Sequence, residues 1–438
     1  MSVSAQDSRP GLGQSASSPP RPGSPRPLSR RGPRPLLLHL MLAGLRHSAF
    51  SSAFSTGSTR SSGVSRRWSS EAAAARAERI VRALDDTGLE PSALPGAVLA
   101  ELLRQDAALI SGIAAYRRHP YARALPDPPT LWAEGGSRLI DYGATAPAAA
   151  SGPVLFVVPS LVNRAYVLDL TEEASFLRWL ARSGLRPLML DWGWPGEAER
   201  RFGLTDVIAG RLERALAAAA AIAGERVVVA GYCMGGLLAL AAVLRRPELV
   251  RGFAALACPW DFHAGDPARG RAAASLLPLL EPLMAFHDAL PVDGLQVLFT
   301  ALDPYGVAAK FRAFGRLAQD SFRARLFVAI EDWLADGVPL PAPVARECIG
   351  GWYGRNEPAR LAWSVAGLPV DPRALAVPAF VAVPGRDRIV LPEGARRLGA
   401  LIPRAVLHEP AAGHVGMVAG SGAEAALWRP FAAWFSGL

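Results

Sequence analysis

From about residue 150 onward, short apolar runs alternate with longer segments of helical periodicity. The apolar runs predict buried strands at 153–158, 187–190, 226–230, 252–257, 378–383 and 405–408. Between and after them, helices are predicted at 172–182, 205–223, 235–245 and 423–435, with Thr205 as a cap. Continuous apolar strands separated by helices predict an α/β fold, with a mostly parallel sheet covered on both faces.

Two departures from this alternation set the predicted domain organisation. Helices at 71–86 and 93–115 precede the sheet, where we expect them to pack on its edge or on a partner, and 130–142 reads as a β-hairpin. Between Trp260 and about Pro372 the alternation gives way to a mostly helical insertion, interpreted as a cap over the ligand-binding edge of the sheet. The predicted units are a disordered tail at 1–70, N-terminal helices at 71–128, the first part of the core at 129–260, the cap at 261–372 and the second part of the core at 373–438.

The charge of the chain lies in its first 70 residues. They hold ten arginines and one acid, Asp7, which accounts for the whole net charge of +9. The rest of the chain therefore has a formal net charge of zero, without the excess of basic residues that is typical of nucleic-acid-binding proteins. The 1–70 segment is rich in Pro, Ser, Arg and Gly and is predicted to be disordered.

Neither export nor a membrane span is predicted. An apolar run at 35–45 follows Arg30-Arg31 as in an export signal, but His39 interrupts it, and no small-x-small cleavage site follows. No segment reaches the ~18 consecutive apolar residues of a membrane helix. The three cysteines form no metal-ligand spacing, so no metal and no cofactor are expected. A reactive thiol needs a reducing compartment, which favours the cytoplasm.

The candidate nucleophile is Cys233. The strand at 226–230 runs into Gly231-Tyr-Cys-Met-Gly-Gly236 and then an Ala/Leu-rich helix. This is the nucleophile-elbow pattern G-x-S-x-G with cysteine in place of serine, and Gly231 and Gly235 stand where the sharp turn needs glycine. The turn places the sulfur at a helix N-terminus, whose dipole favours a thiolate. The alternative is a buried structural cysteine.

The partners of such a nucleophile are sought in loops after later strands. In α/β-hydrolase folds the order along the chain is nucleophile, acid, histidine. Asp387 follows the strand at 378–383, and His414 follows the strand at 405–408. Their joint order predicts that His414 takes the thiol proton and that Asp387 orients the imidazole. The sequence therefore predicts an α/β-hydrolase fold with a helical cap and a Cys-His-Asp triad.

The oxyanion of an acyl-transfer reaction needs backbone donors beside the nucleophile. We expect the N–H of Met234 and one N–H from the loop after the strand at 153–158, where Leu161 and Val162 are the candidates. Asn163 is the residue that could brace this loop. Asp191 is interpreted as a loop-bracing residue rather than a catalytic acid. Cys258 and Cys348 are interpreted as buried, unpaired thiols.

The residues resemble the polyhydroxyalkanoate (PHA) synthases from about 90 to 436. The resemblance implies a polymerase that uses (R)-3-hydroxyacyl-CoA through a cysteine-bound acyl group, with a triad that matches Cys233, His414 and Asp387. One departure is Arg388, where the family usually has histidine after the catalytic aspartate. Besides the Asp387 and His414 loops, the blocks that carry the resemblance are Pro159-Ser-Leu-Val-Asn-Arg-Ala-Tyr-Val-Leu-Asp-Leu170, Asp191-Trp-Gly-Trp-Pro195 and Gly231-Tyr-Cys-Met-Gly-Gly236.

The resemblance also implies a homodimer or a second synthase subunit, and association with the surface of storage granules. Two other hypotheses remain open. One is a cysteine hydrolase or thioesterase, similar to dienelactone hydrolases, with the same triad. The feature that distinguishes it from a synthase is access of water to the site under the cap. The other is a non-enzymatic granule protein, in which Cys233 would be dispensable.

Overall fold

A mixed eight-stranded sheet lies at the centre of the protein, in the order β1-β2-β4-β3-β5-β6-β7-β8. The computed structural model describes residues 30–55, 71–88, 90 and 92–438. Strand β2 pairs antiparallel with both of its neighbours, and the pairs from β4 to β8 are parallel. The strands are β1 (Thr130–Glu134), β2 (Ser137–Asp141), β3 (Val154–Val158), β4 (Arg186–Asp191), β5 (Val227–Tyr232), β6 (Val250–Leu256), β7 (Ala379–Ala382) and β8 (Ala405–His408).

The sheet is buried on both faces, as the continuous apolar strands predict. Along β3, Phe156 and Val158 pack into one hydrophobic cluster, whereas Leu155 and Val157 pack into the cluster on the opposite face. Successive side chains of a strand point to opposite faces, so a strand with two buried faces must be apolar at every position. The prediction of an α/β-hydrolase fold is confirmed by this sheet and its flanking helices.

The described residues contain fifteen α-helices, and three of them adjoin a π-helical turn. The π-helical turns span Asp206–Leu212 before α5, Glu347–Gly354 after α12 and Glu424–Trp428 before α15. The helices are α1 (Leu36–Ser55), α2 (Glu71–Asp86), α3 (Leu94–Arg118), α4 (Phe176–Arg182), α5 (Glu213–Ala223), α6 (Met234–Arg245), α7 (Pro267–Ser275), α8 (Leu277–His287), α9 (Val292–Leu302), α10 (Gly306–Phe314), α11 (Phe322–Ala335), α12 (Ala342–Arg346), α13 (Pro392–Leu401), α14 (His414–Ala419) and α15 (Arg429–Ser436).

Two helix starts differ from the sequence prediction. Helix α4 begins at Phe176 rather than at 172, because the Ser175 side chain caps it by accepting the N–H of Arg178. Thr205 has helical backbone angles and makes no capping bond. The N–H groups at that helix start are instead taken up by carboxylates, Gly203 by Asp206 and Leu204 by Glu347. The prediction of Thr205 as a cap is therefore wrong.

The helices between β6 and β7, from α7 to α12, form the insertion that the sequence places over the sheet. Helix α3 packs on this insertion and not on the edge of the sheet. Leu109, Ile113 and Tyr116 of α3 share a buried cluster with Phe311 and Phe314 of α10. The expectation that the helices before the sheet pack on the edge of the sheet is wrong for α3, because the apolar face of α3 packs against the cap.

The prediction of a disordered tail over 1–70 is wrong for residues 30–55; residues 1–29 and 56–70 lie outside the described residues. Helix α1 buries Ala43 in the cluster formed by α3 and α10. Arg30 binds both carboxylate oxygens of Asp332 at 2.7 and 2.6 Å, and also donates to the carbonyls of His119 and Tyr121. A bidentate guanidinium–carboxylate pair fixes position as well as charge. The segment 30–39 is thereby fastened to the cap.

None of the helices in the described ranges is both long and apolar enough to cross a membrane.

Candidate active site

Cys233 sits on a strained turn between β5 and α6. Its backbone has φ 54° and ψ −129°, which is unfavourable for a residue with a Cβ. The Cys233 N–H donates to the carbonyl of Leu256 at 2.8 Å, and the Gly236 N–H donates to the Cys233 carbonyl at 2.9 Å. These bonds hold the turn, and they place the Cys233 side chain at the start of α6. The geometry is that of a nucleophile elbow.

The glycines around Cys233 are required by close backbone contacts. A Cβ on Gly235 would lie 2.2 Å from the carbonyl oxygen of Val158 and 2.5 Å from that of Pro159. A Cβ on Gly231 would lie 2.4 Å from the Gly235 carbonyl oxygen. Backbone atoms cannot move aside as a flexible side chain can, so α6 approaches β3 at Gly235 and β5 at Gly231 only because these positions lack side chains.

Gly235→Ala is expected to lower the free energy of unfolding by at least about 2 kcal/mol, because the added methyl overlaps two carbonyl oxygens. Chemical denaturation measures this loss. Gly416→Ala is the matched control, since a Cβ at Gly416 in α14 meets nothing within 4 Å. Equal stability of the two variants would show that the elbow is less tightly packed than described.

The structure brings Asp387 and His414 together beside Cys233. His414 Nδ1 lies 2.6 Å from Asp387 Oδ2, and the Cys233 side chain is close enough for its charge to act on the imidazole. The two loops are joined by backbone bonds, from the Gly385 N–H to the Pro410 carbonyl at 2.9 Å and from the Arg386 N–H to the Ala412 carbonyl at 2.9 Å. The loops after β7 and β8 are thus held together, and they fix Asp387 and His414 next to each other.

Asp387 is held in place by its second carboxylate oxygen. Oδ1 accepts the N–H groups of Ile389 at 2.8 Å and Val390 at 3.0 Å, and the side chain is fully buried. A buried carboxylate whose oxygens are all hydrogen-bonded cannot rotate freely. Asp387 can therefore fix the orientation and tautomer of the His414 ring.

The electrostatics of His414 favour an imidazolium. Burial by itself lowers its pKa, but the negative charges of Cys233 and Asp387 and the hydrogen bond to Asp387 raise the pKa from 6.5 to about 10. His414 therefore carries its proton at neutral pH, next to the sulfur and the carboxylate. This is the charge arrangement that a cysteine nucleophile requires.

In Cys233→Ala, the pKa of His414 is expected to fall below its wild-type value of about 10. The variant removes the negative charge of Cys233, while burial continues to lower the pKa of His414. An NMR titration of the imidazole resonances measures the shift. Cys258→Ala is the control, because Cys258 is absent from the groups that act on His414. An unchanged His414 titration in Cys233→Ala would contradict the coupling.

The three predicted oxyanion donors stay predictions. Met234 is the first residue of α6, directly after Cys233. The Val162 N–H already donates to Ser160 Oγ at 3.0 Å, whereas no such bond is recorded for the Leu161 N–H in the described chain. Val162, however, lines the cavity that contains Cys233, and Leu161 lines a different pocket. Both therefore remain candidates for the second donor. Asn163 has φ 64°, so it shapes the turn of this loop.

Cys233 and His414 open into a cavity of about 490 Å³ beneath the cap. Its walls come from the sheet edge, the cap and the N-terminal segment. From the cap they include Phe299, Val307 and Trp333, and from the N-terminal segment Gly32, Pro33, Arg34 and His39. Sequence reasoning missed the contribution of residues 30–39. The signal available was His39 within an apolar run, a pattern that local reasoning interprets as an interruption rather than as a cavity wall.

The remaining candidates have structural roles. Asp191 pairs with Arg138 at 2.7 Å and accepts the Gly193 N–H at 3.1 Å, which is the bracing role predicted for it. Cys258 and Cys348 are buried and free, and burial raises the pKa of both thiols. Across the described ranges, no group of three or more His, Cys, Asp or Glu side chains could hold a metal ion.

An α/β-hydrolase-type protein with cysteine at the nucleophile position is defined by three features together. They are the order of the strands in the sheet, the elbow at Cys233 and the Asp387–His414 pair. Residues 134–180 match the family model described as the N-terminus of poly-beta-hydroxybutyrate polymerase (PhaC). Over these residues the chain is similar to that polymerase family.

Two curated relatives illustrate the similarity. Poly(3-hydroxyalkanoate) polymerase subunit PhaC of Haloferax mediterranei is 25% identical over 311 residues, which are 70% of this chain and 63% of that protein. The subunit of the same name from Allochromatium vinosum is 26% identical over 66% of this chain and 82% of its own length. Among solved structures, a proline iminopeptidase-related protein from Thermus thermophilus is 20% identical, with a TM-score of 0.43 over 73% of this chain and 99% of that chain.

Proposed function

We propose that the protein is a PHA synthase-like acyltransferase that polymerises (R)-3-hydroxyacyl-CoA and releases CoA. The observation that carries the proposal is Cys233 on its elbow, next to the His414–Asp387 pair and at the wall of a capped cavity. The relatives named poly(3-hydroxyalkanoate) polymerase support the same reaction class.

In the first step the Cys233 thiolate attacks the thioester carbonyl of the acyl-CoA. The carbonyl oxygen becomes an oxyanion, for which the Met234 N–H and the N–H of Leu161 or Val162 are the proposed donors. When the intermediate collapses, the bond to the CoA sulfur breaks, and His414 gives its proton to that sulfur. One thioester has been exchanged for another, so the acyl group on Cys233 stays reactive.

In the second step the hydroxyl of another hydroxyacyl group attacks the acyl-Cys233 carbonyl. His414, now neutral, takes the hydroxyl proton, an ester bond forms, and the Cys233 thiolate leaves. Asp387 keeps the imidazole oriented and stabilises the imidazolium that results. The site then returns to the thiolate–imidazolium pair with which it began.

Water competes with the hydroxyl in this second step. Hydrolysis of acyl-Cys233 would end a chain, so the reaction needs a pocket that excludes water. The cap and the N-terminal segment supply the walls of such a pocket, with Trp333, Phe299 and Val307 as apolar lining. The same proposal places the protein in the cytoplasm at the surface of polyester granules, as a homodimer or with a second synthase subunit.

Incubation of the full chain with (R)-3-hydroxybutyryl-CoA tests the proposal. CoA release is followed with a thiol reagent, and the products are separated into insoluble polyester and free hydroxy acid. Polyester is the expected product. Free hydroxy acid as the main product would identify a hydrolase instead, and equal behaviour of wild type and Cys233→Ala would exclude both enzymes.

A further inference from the structure

A second group of polar side chains faces the cavity and takes no part in the chemistry at Cys233. Lys310 of α10, Glu331 of α11 and His39 of α1 all line it. Lys310 Nζ lies 2.7 Å from Glu331 Oε1; the Glu331 side chain is 6% exposed, that of Lys310 34%, and His39 is buried. Three different segments of the fold therefore converge on one polar spot in an otherwise largely apolar enclosure.

Lys310 is the only lysine in a chain whose 46 other lysine or arginine side chains are all arginine. An ammonium group has three donors that turn with a flexible stem, whereas a guanidinium is a rigid planar fork. The ion pair with Glu331 uses one of these donors. The others remain available to a ligand in the cavity.

The charges of the Lys310–Glu331 pair are matched. Elsewhere on the cavity wall, Arg388 pairs with Asp303 at 3.4 Å, Arg34 pairs with Asp293 at 2.5 Å, and Arg164 has no ion pair recorded within the described chain. A locally balanced pair has little attraction for a phosphate or a carboxylate. It offers hydrogen-bond donors from Lys310 and an acceptor from Glu331, which suits a neutral group rich in oxygen.

His39 fits the same description. Burial, opposed in part by a hydrogen bond to the Arg34 carbonyl, and the nearby positive charge of Lys310 lower the pKa of His39. The ring is therefore neutral at neutral pH and can donate from one nitrogen and accept at the other. Its only recorded contact within the described chain is the 3.4 Å approach of Nε2 to the Arg34 carbonyl. An imidazole with spare hydrogen-bonding capacity lines the cavity wall.

We propose that Lys310, Glu331 and His39 form a second acyl-binding site in the catalytic cavity, one that holds an ester carbonyl or hydroxyl of a neutral hydroxyacyl chain. The inference rests on the proposed function and adds to it a preference for oxygenated chains over plain hydrocarbon chains. The site positions such a chain within the cavity that contains Cys233. Through His39, the N-terminal segment contributes to the choice between oxygenated and plain hydrocarbon chains.

Ligand binding to the full chain carrying Cys233→Ala tests this site without any reaction. The probes are the methyl ester of the linear (R)-3-hydroxybutyrate dimer and methyl octanoate, which match in chain length and differ in internal oxygens. Calorimetry is expected to show tighter binding of the dimer. Adding Lys310→Met and Glu331→Gln together, which leaves no unpaired charge, is expected to weaken dimer binding about tenfold while leaving methyl octanoate within about twofold.

Equal binding of the two probes, or an equal loss of both in the variant, would overturn the proposal. His39→Phe provides a second approach that leaves the ion pair intact, with an expected loss of dimer binding of about threefold; an unchanged affinity removes His39 from the site. The outcome is separable from the proposed function, because CoA release by the native protein tests Cys233 chemistry whereas binding to Cys233→Ala tests only the cavity.

Discussion

Replacing Cys233 with alanine is expected to lower CoA release from (R)-3-hydroxybutyryl-CoA on the order of 10⁵-fold, because the reaction loses its nucleophile. The rate of thiol release, measured spectrophotometrically at saturating substrate, gives this factor. The elbow itself should persist, since alanine tolerates the turn about as well as cysteine and the surrounding glycines are unchanged.

The two other cysteines provide matched controls for this result. Cys258 and Cys348 are buried and free like ordinary core thiols, and burial raises the pKa of each. Cys348→Ala is expected to keep CoA release within about threefold of wild type. Retention of substantial activity in Cys233→Ala would transfer the nucleophile's role to another residue and end the proposed mechanism.

Asp387→Asn is expected to reduce the same rate on the order of 10³- to 10⁴-fold while the protein remains folded. The asparagine oxygen can still accept the N–H groups of Ile389 and Val390, which leaves its amide nitrogen facing His414 Nδ1. The amide then donates to Nδ1, so the ring proton moves to the nitrogen that faces the thiol. A ring in that tautomer cannot take up the thiol proton.

A pH profile distinguishes this tautomer effect from a general loss of structure. In Asp387→Asn the negative partner of His414 is gone, so the pKa of His414 is expected to fall below its wild-type value of about 10. Asp191→Asn is the control, because Asp191 pairs with Arg138 and lies outside the Asp387–His414 pair. A similar rate loss in both aspartate variants would point to folding rather than to orientation of the imidazole.

The sheet and the Asp387–His414 pair could be predicted from the sequence because both follow from local patterns. A strand buried on two faces must be apolar throughout, and the loop after each parallel strand emerges at the same edge. Cys233, Asp387 and His414 each stand in such a loop. Their order along the chain was therefore enough to predict the pairing of Asp387 with His414 at 2.6 Å.

The surroundings of the triad could not be predicted, because they depend on contacts between distant segments. Nothing local in the sequence says that Arg30 pairs with Asp332, or that α3 meets α10 at Phe311. Low-complexity composition suggested disorder for residues 30–55, but tertiary contacts decide the outcome there. The Lys310–Glu331 pair was overlooked for the same reason, since neither residue belongs to a motif.

The fastening of residues 30–39 to the cap has a practical consequence for anyone who trims the protein. A fragment that starts at the hairpin would keep the whole sheet, Cys233 and both of its partners. It would lack Gly32, Pro33, Arg34 and His39. One side of the cavity that contains Cys233 would then be open to solvent. Under the proposed function, such a fragment is expected to make shorter, water-terminated chains, because water could reach the acyl group on Cys233 from that side.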